Sequence, residues 1–152
     1  MTVSFLARPL AGAFLALAVA GPPALADEPA IYAPGGIALS GYDAVTYFTR
    51  NHPLRGSADN ALMWRGATWY FAGPDTMESF EMNPTAYAPQ YGGYCAYGIS
   101  EGLAESGAPD AFIIHKGKLY ILHDAKVQSE IAAHIQDIIK AAEAHWPAAI
   151  GR

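Results

Sequence analysis

The chain has 152 residues, 52% hydrophobic and 15% charged, with 14 acidic against 9 basic side chains and a formal net charge of −5. Nucleic acid and anionic membrane surfaces are poor partners for such a balance, because both are held by a basic patch and none runs through these residues. The single cysteine, Cys95, excludes an internal disulfide, so the fold has to rest on an apolar core.

The first residues read as an address. Met1 to Arg8 carries one basic side chain, Leu10 to Ala20 is a short apolar run, and Ala24-Leu25-Ala26 offers a small-residue cleavage site. Together they predict a secretion signal over 1–26 and a protein exported to the periplasm or the extracellular space. The apolar run falls short of the roughly 20 residues that span a bilayer, and Gly21-Pro22-Pro23 ends it, so no stable span is expected after cleavage. No cysteine stands directly after the cleavage site to carry a lipid, and no twin arginine precedes it.

Residues 27–36, rich in Pro, Gly and Ala, predict a flexible lead-in, and 37–148 a single domain. Asp43 suits an N-cap, with a short apolar helix over Ala44 to Phe48 behind it and Tyr42 and Phe48 in the core. Leu62 to Trp64 and Thr68 to Phe71 flank Arg65-Gly66-Ala67 as a first hairpin. A helix starts at Pro74, carries Asp75 and Glu78 in its first turn, lines up Met77 and Phe80, and stops at Asn83-Pro84. Glu101 to Asp110 has loop composition, and Ala111 to His115 and Lys118 to Leu122 flank Lys116-Gly117 as a second hairpin. Asp124 caps a last helix from Ala125 to about His145, whose Val127, Ile131, Ile135, Ile138, Ile139 and Ala142 recur every three or four positions; Trp146 extends the stripe and Pro147 ends it. The expected fold is α+β: two β-hairpins forming a small antiparallel sheet, packed against short helices and a long C-terminal helix.

The chemistry centres on NPTAYAPQYGGYCAYGIS, from Asn83 to Ser100. If Tyr91 to Tyr97 is extended, Tyr91, Gly93, Cys95 and Tyr97 share one face and Gly92, Tyr94 and Ala96 the other. Gly92-Gly93 lets the chain bend, or lets a backbone or ligand approach the sulfur. Tyr91, Gly92, Gly93, Tyr94 and Tyr97 are the candidate binding residues, and Tyr87, Trp64 and Trp69 could join them around an aromatic pocket or simply fill the core.

Cys95 has three readings. As a metal ligand it needs companions from His52, His115, His123, His134, His145, Met63, Met77 and Met82, none of them at a short ligand spacing. A two-residue turn at Lys116-Gly117 separates His115 from His123, and His134 lies roughly 16 Å along a helix from His145, so at most one of each pair can reach the sulfur. Cys95 with His123 is the candidate pair. Met77 and Met82 also read as core filler behind Phe80. As a buried thiol, Cys95 is inert packing; as a reactive thiol it needs a histidine partner and an oxyanion site.

Several segments together resemble the YHS domain family in its longer exported form: GYDAVTYF at Gly41 to Phe48, RGATWYFAG at Arg65 to Gly73, Phe80 with Asn83-Pro84 and Tyr87, YAPQYGGYCAYG at Tyr87 to Gly98, GKLY at Gly117 to Tyr120, and His145-Trp146-Pro147. The resemblance covers about Gly36 to Pro147. It implies a small α+β domain associated with heavy-metal handling, with copper as Cu(I) the implied ion, because short YHS and related TRASH-type domains occur in copper-transporting ATPases and metal sensors. The positions matching the two cysteines of those short domains are Ala72 and Thr76, whereas the single cysteine of the exported form is kept at Cys95. Leu122 stands where the family often has Asn, and His123 where an aromatic is common. The functions in view are thus a metal-binding module, a non-catalytic structural or interaction module with an inert cysteine and an unidentified protein partner, and a thiol enzyme.

Overall fold

Two tight turns set the two hairpins. In the computed structural model, which describes residues 28–152, Arg65 and Gly66 take φ of 49° and 79°, and Lys116 and Gly117 take 49° and 73°. Such left-handed pairs match the twist of antiparallel strands. Strand β1 (Ser57–Trp64) pairs with β2 (Ala67–Phe71), and β3 (Ala108–His115) with β4 (Lys118–Leu122). The first strand of each hairpin runs further than its β-prone core, through a register shift between Ser57 and Ala61 in β1 and between Ala108 and Phe112 in β3.

The α+β class is as expected. The hairpins, however, remain two separate two-stranded sheets rather than joining into one. The outer edge of β2 is met instead by the preceding loop, where Ile37 bridges Thr68 in parallel. The signal predicted at 1–26 lies outside the described residues.

Strand β4 organises the interior. Successive side chains of a strand point to opposite faces, and here both faces are buried. Leu119 and Ile121 enter one apolar cluster with Leu39, Tyr47, Trp69, Phe71 and Phe80, whereas Tyr120 and Leu122 enter a second with Tyr94, Cys95, Ile99, Ile131, Ile135 and Ile139. The first cluster packs β2 against α1 (Thr46–Thr49) and α2 (Pro74–Met82), which α3 (Pro84–Tyr87) follows. The second is closed by α4 (Ala96–Ser100), α5 (Ala125–Ile131) and α6 (Ile135–His145).

Asp124 caps α5 as predicted, its carboxylate accepting from the Val127 N–H at 2.8 Å. The long C-terminal helix is interrupted by a tighter 3-10 turn at Ala132–His134, although no Gly or Pro stands there. The apolar stripe survives the interruption, since Ile131, Ile135, Ile139 and Ala142 are all buried.

Asp43 is a tie between segments more than a helix cap. The helix expected at Ala44 begins instead at Thr46. Asp43 is fully buried; its Oδ1 accepts from the Val45 N–H at 2.8 Å, and its Oδ2 accepts from the Ala72 N–H at 2.9 Å, just beyond β2. Thr46 completes the tie: its hydroxyl donates to the Asp43 carbonyl at 2.8 Å and accepts from the Leu54 N–H at 2.9 Å. The lead-in, expected to be flexible, makes specific contacts from Glu28 onward. Ile31 is buried, the Tyr32 N–H donates to the Gly92 carbonyl at 2.9 Å, and the Glu28 N–H donates to the Ile150 carbonyl at 3.1 Å.

Candidate functional site

The stretch around Cys95 is not extended. Gln90–Gly93 forms a 3-10 turn in which Tyr91, Gly92 and Gly93 all have positive φ, at 52°, 64° and 88°. Cys95 then caps α4: its sulfur accepts from the Gly98 N–H at 3.5 Å and its carbonyl accepts from the Ile99 N–H at 2.9 Å. The alternating faces expected for Tyr91 to Tyr97 are therefore replaced by a left-handed turn and a helix start, for which the glycine pair supplies the conformational room.

Cys95 is 0% exposed. Burial pushes its thiol above the ordinary value of 9.0; the backbone amides of Gly98, Tyr97 and His123 oppose that rise, and the Glu105 carboxylate adds to it. The His123 imidazole is turned to Ser106, with Nδ1 3.2 Å from the Ser106 carbonyl oxygen.

The other histidines have local partners too. His52 Nδ1 lies 2.8 Å from the Arg50 carbonyl, His115 Nε2 lies 3.1 Å from Gln136 Oε1, and His145 Nδ1 lies 2.9 Å from the Ser100 carbonyl. His134 is exposed on the 3-10 turn before α6. Met77 packs on the first cluster, as expected, whereas Cys95 sits in the second. Met82, expected as core filler, is 80% exposed, and Met63 is also exposed. Among the described residues no group of three or more His, Cys, Asp and Glu side chains is placed to hold a metal ion. The residues present therefore do not fit a copper centre built on Cys95.

The candidate binding residues part company. Tyr94 is buried and its hydroxyl donates to the Pro29 carbonyl at 2.9 Å, while Tyr91 donates to the Ile139 carbonyl at 3.3 Å. Gly93 is buried and Tyr97 is exposed. Trp69 is core, its ring 4.9 Å from that of Phe80, and Tyr87 stands edge-on to Phe48. Tyr91 and Gly92 alone of the five line the groove described next.

That groove, of about 560 Å³, opens between both hairpin turns, the Thr85–Gly92 stretch and the C-terminal residues after α6. Trp64, Pro89, Tyr91 and Trp146 form much of its wall, with Arg65, Lys118 and Arg152 around it. The Tyr91 and Trp146 rings sit 5.8 Å apart, and the Arg65 guanidinium lies over the Trp64 ring at 4.6 Å from its centroid. Sequence reasoning missed the cations and Trp146, because they come together from segments far apart in the chain. A usable signal was present in the turns themselves, since Arg65 and Lys118 both adjoin a tight turn and so project at a hairpin end.

Buried hydroxyls and the thiol give this core a pH response. Burial raises the Tyr94 phenol from 10.0 to about 12, an effect to which Glu28 and Tyr32 add and which Arg152 opposes. Tyr91, Tyr47 and Tyr120 are raised as well, chiefly by burial. These groups are neutral when protonated, so the folded chain holds their protons to higher pH than the unfolded chain does. Their contribution to stability is complete below the ordinary values of 9.0 for the thiol and 10.0 for the phenols, and is lost as pH rises beyond them. Urea midpoints are expected to fall steadily from about pH 9 upward; a flat profile to pH 11 would contradict these shifts.

Compared with protein-family models, with curated proteins and with solved structures, the chain matches none.

Proposed function

We propose that the chain is an exported domain of the YHS type acting as a non-catalytic protein-interaction module, with Cys95 as packing and helix cap. The observation that carries this reading is the position of the sulfur, wholly buried beneath the start of α4 with an amide donating to it. Nucleophilic attack and soft-metal ligation both need the thiolate, a form that burial disfavours here. The histidines and methionines that could have joined it are engaged or exposed elsewhere. Support for the YHS type comes from the way its motif segments interlock: Asp43 of GYDAVTYF bonds the backbone of Ala72 in RGATWYFAG. At the same time Ala72 and Thr76 replace the soft ligands of the short metal-handling domains, which favours interaction over metal handling.

A Cu(I) titration against a competing chelator tests the choice. Wild-type chain and Cys95→Ala are expected to compete equally poorly. Stoichiometric uptake by wild type that disappears in Cys95→Ala would return the cysteine to a metal site and overturn the reading.

A further inference from the structure

We propose that the groove between the two hairpin turns is a docking site for an extended acidic segment of a partner protein, one carrying an aromatic or aliphatic side chain between carboxylates. This rests on the interaction-module reading and names what the module would hold.

Charge carries the first half of the inference. Acidic side chains outnumber basic ones 14 to 9 in this chain, yet three of those nine cations, Arg65, Lys118 and Arg152, line the one groove, and no Asp or Glu among the described residues does. The ion pair formed among the described residues, Lys126 with Glu130, lies on α5, away from it. Arg65 and Lys118, at the two hairpin turns, are the principal anchors. With its guanidinium stacked on Trp64, Arg65 is held flat, a posture in which its edge can meet a carboxylate through two parallel N–H donors.

The walls carry the second half. Trp, Tyr and Arg are the residue types on which protein interfaces concentrate their binding energy, and the half-buried Trp64 and Trp146, backed by the buried Tyr91, line the groove together with the cations. Sites for small ligands instead converge a few polar groups inside a cavity. Among the described residues every buried polar side-chain atom already has a partner, so the polar groups the groove offers are accessible ones, Thr85, Gln90 and the three cations. A groove lined by aromatic rings together with cations fits a chain segment that carries an apolar side chain between carboxylates.

The test uses the purified chain and a fluorescein-labelled peptide with a central tryptophan between pairs of glutamates, followed by anisotropy. Saturable binding is expected. It should weaken by about tenfold or more in the double variant Arg65→Gln, Lys118→Gln, weaken with added salt, vanish when glutamine replaces glutamate in the peptide, and persist in Lys140→Gln on α6. Equal binding of the glutamine peptide, no loss in the double variant, or no saturable binding at all would overturn the proposal. So would displacement by naphthoate at the affinity of the peptide itself, which would assign the groove to a small anion, or a dimer abolished by the double variant, which would assign it to a second copy. Failure of docking with Cys95 still silent toward Cu(I) removes the acidic occupant only, whereas Cu(I) uptake through Cys95 removes the underlying reading whatever the peptide does.

Discussion

Asp43→Ala is expected to lower the stability of the fold by about 2–4 kcal/mol, because it leaves two backbone donors without the acceptor they share. The Val45 N–H is buried with its partner, and the loss there is the full desolvation of an unpaired amide. The Ala72 N–H is only partly buried, so water can recover some of its bond. The change also unties the segment leading into α1 from the end of β2, two stretches otherwise joined by the isolated Ile37–Thr68 bridge. Asp43→Asn keeps the shape but sets an NH2 group against one of the two donors, and should cost about half as much. Urea unfolding with an unchanged m-value measures both. A loss under about 0.5 kcal/mol in Asp43→Ala would place it among ordinary surface changes and refute the role of tie.

Gly92→Ala is the second large effect. Gly92 has φ of 64°, which L side chains adopt reluctantly, and an added Cβ would overlap the Ala30 carbonyl oxygen while standing 3.2 Å from the Ile31 Cα. Relief requires the 30–32 segment to move away, which breaks the bond from the Tyr32 N–H to the Gly92 carbonyl and lifts Ile31 from the first cluster. The sum of left-handed strain, a lost hydrogen bond and lost burial is about 2–4 kcal/mol. Gly66→Ala is the matched control: its φ is 79°, but its Cβ would meet nothing within 4 Å, so about 1 kcal/mol of conformational strain is all it should show. If the two variants unfold at the same urea concentration, the close approach at Gly92 has no energetic weight.

Both hairpins were legible because a cation-glycine pair between β-prone runs is a local signal, and Arg65-Gly66 and Lys116-Gly117 adopt the turn that signal names. The α5–α6 stripe was legible because its period survives even where the helix tightens at Ala132–His134. What failed was reading a period of two through QYGGYCAY. Tyr91 takes a left-handed conformation that its own side chain does not favour, held there by burial and by its hydroxyl on the Ile139 carbonyl 48 residues away. No local pattern announces such a bond. The same limit explains the groove, where Trp64, Tyr91, Lys118 and Trp146 converge only once β4 has been buried on both faces. The sequence pointed to Cys95 as the centre of interest and left its exposure open; the structure makes it the start of a helix inside the core.

Native-state thiol labelling tests that placement most directly. With the sulfur enclosed as it is, a bulky maleimide should modify Cys95 only through opening of the structure around α4, at a rate at least about a thousandfold below that of the urea-unfolded chain and rising as urea destabilises the fold. Labelling of the native chain within about tenfold of the unfolded rate would mean an accessible thiol, and would contradict the account of Cys95 as packing.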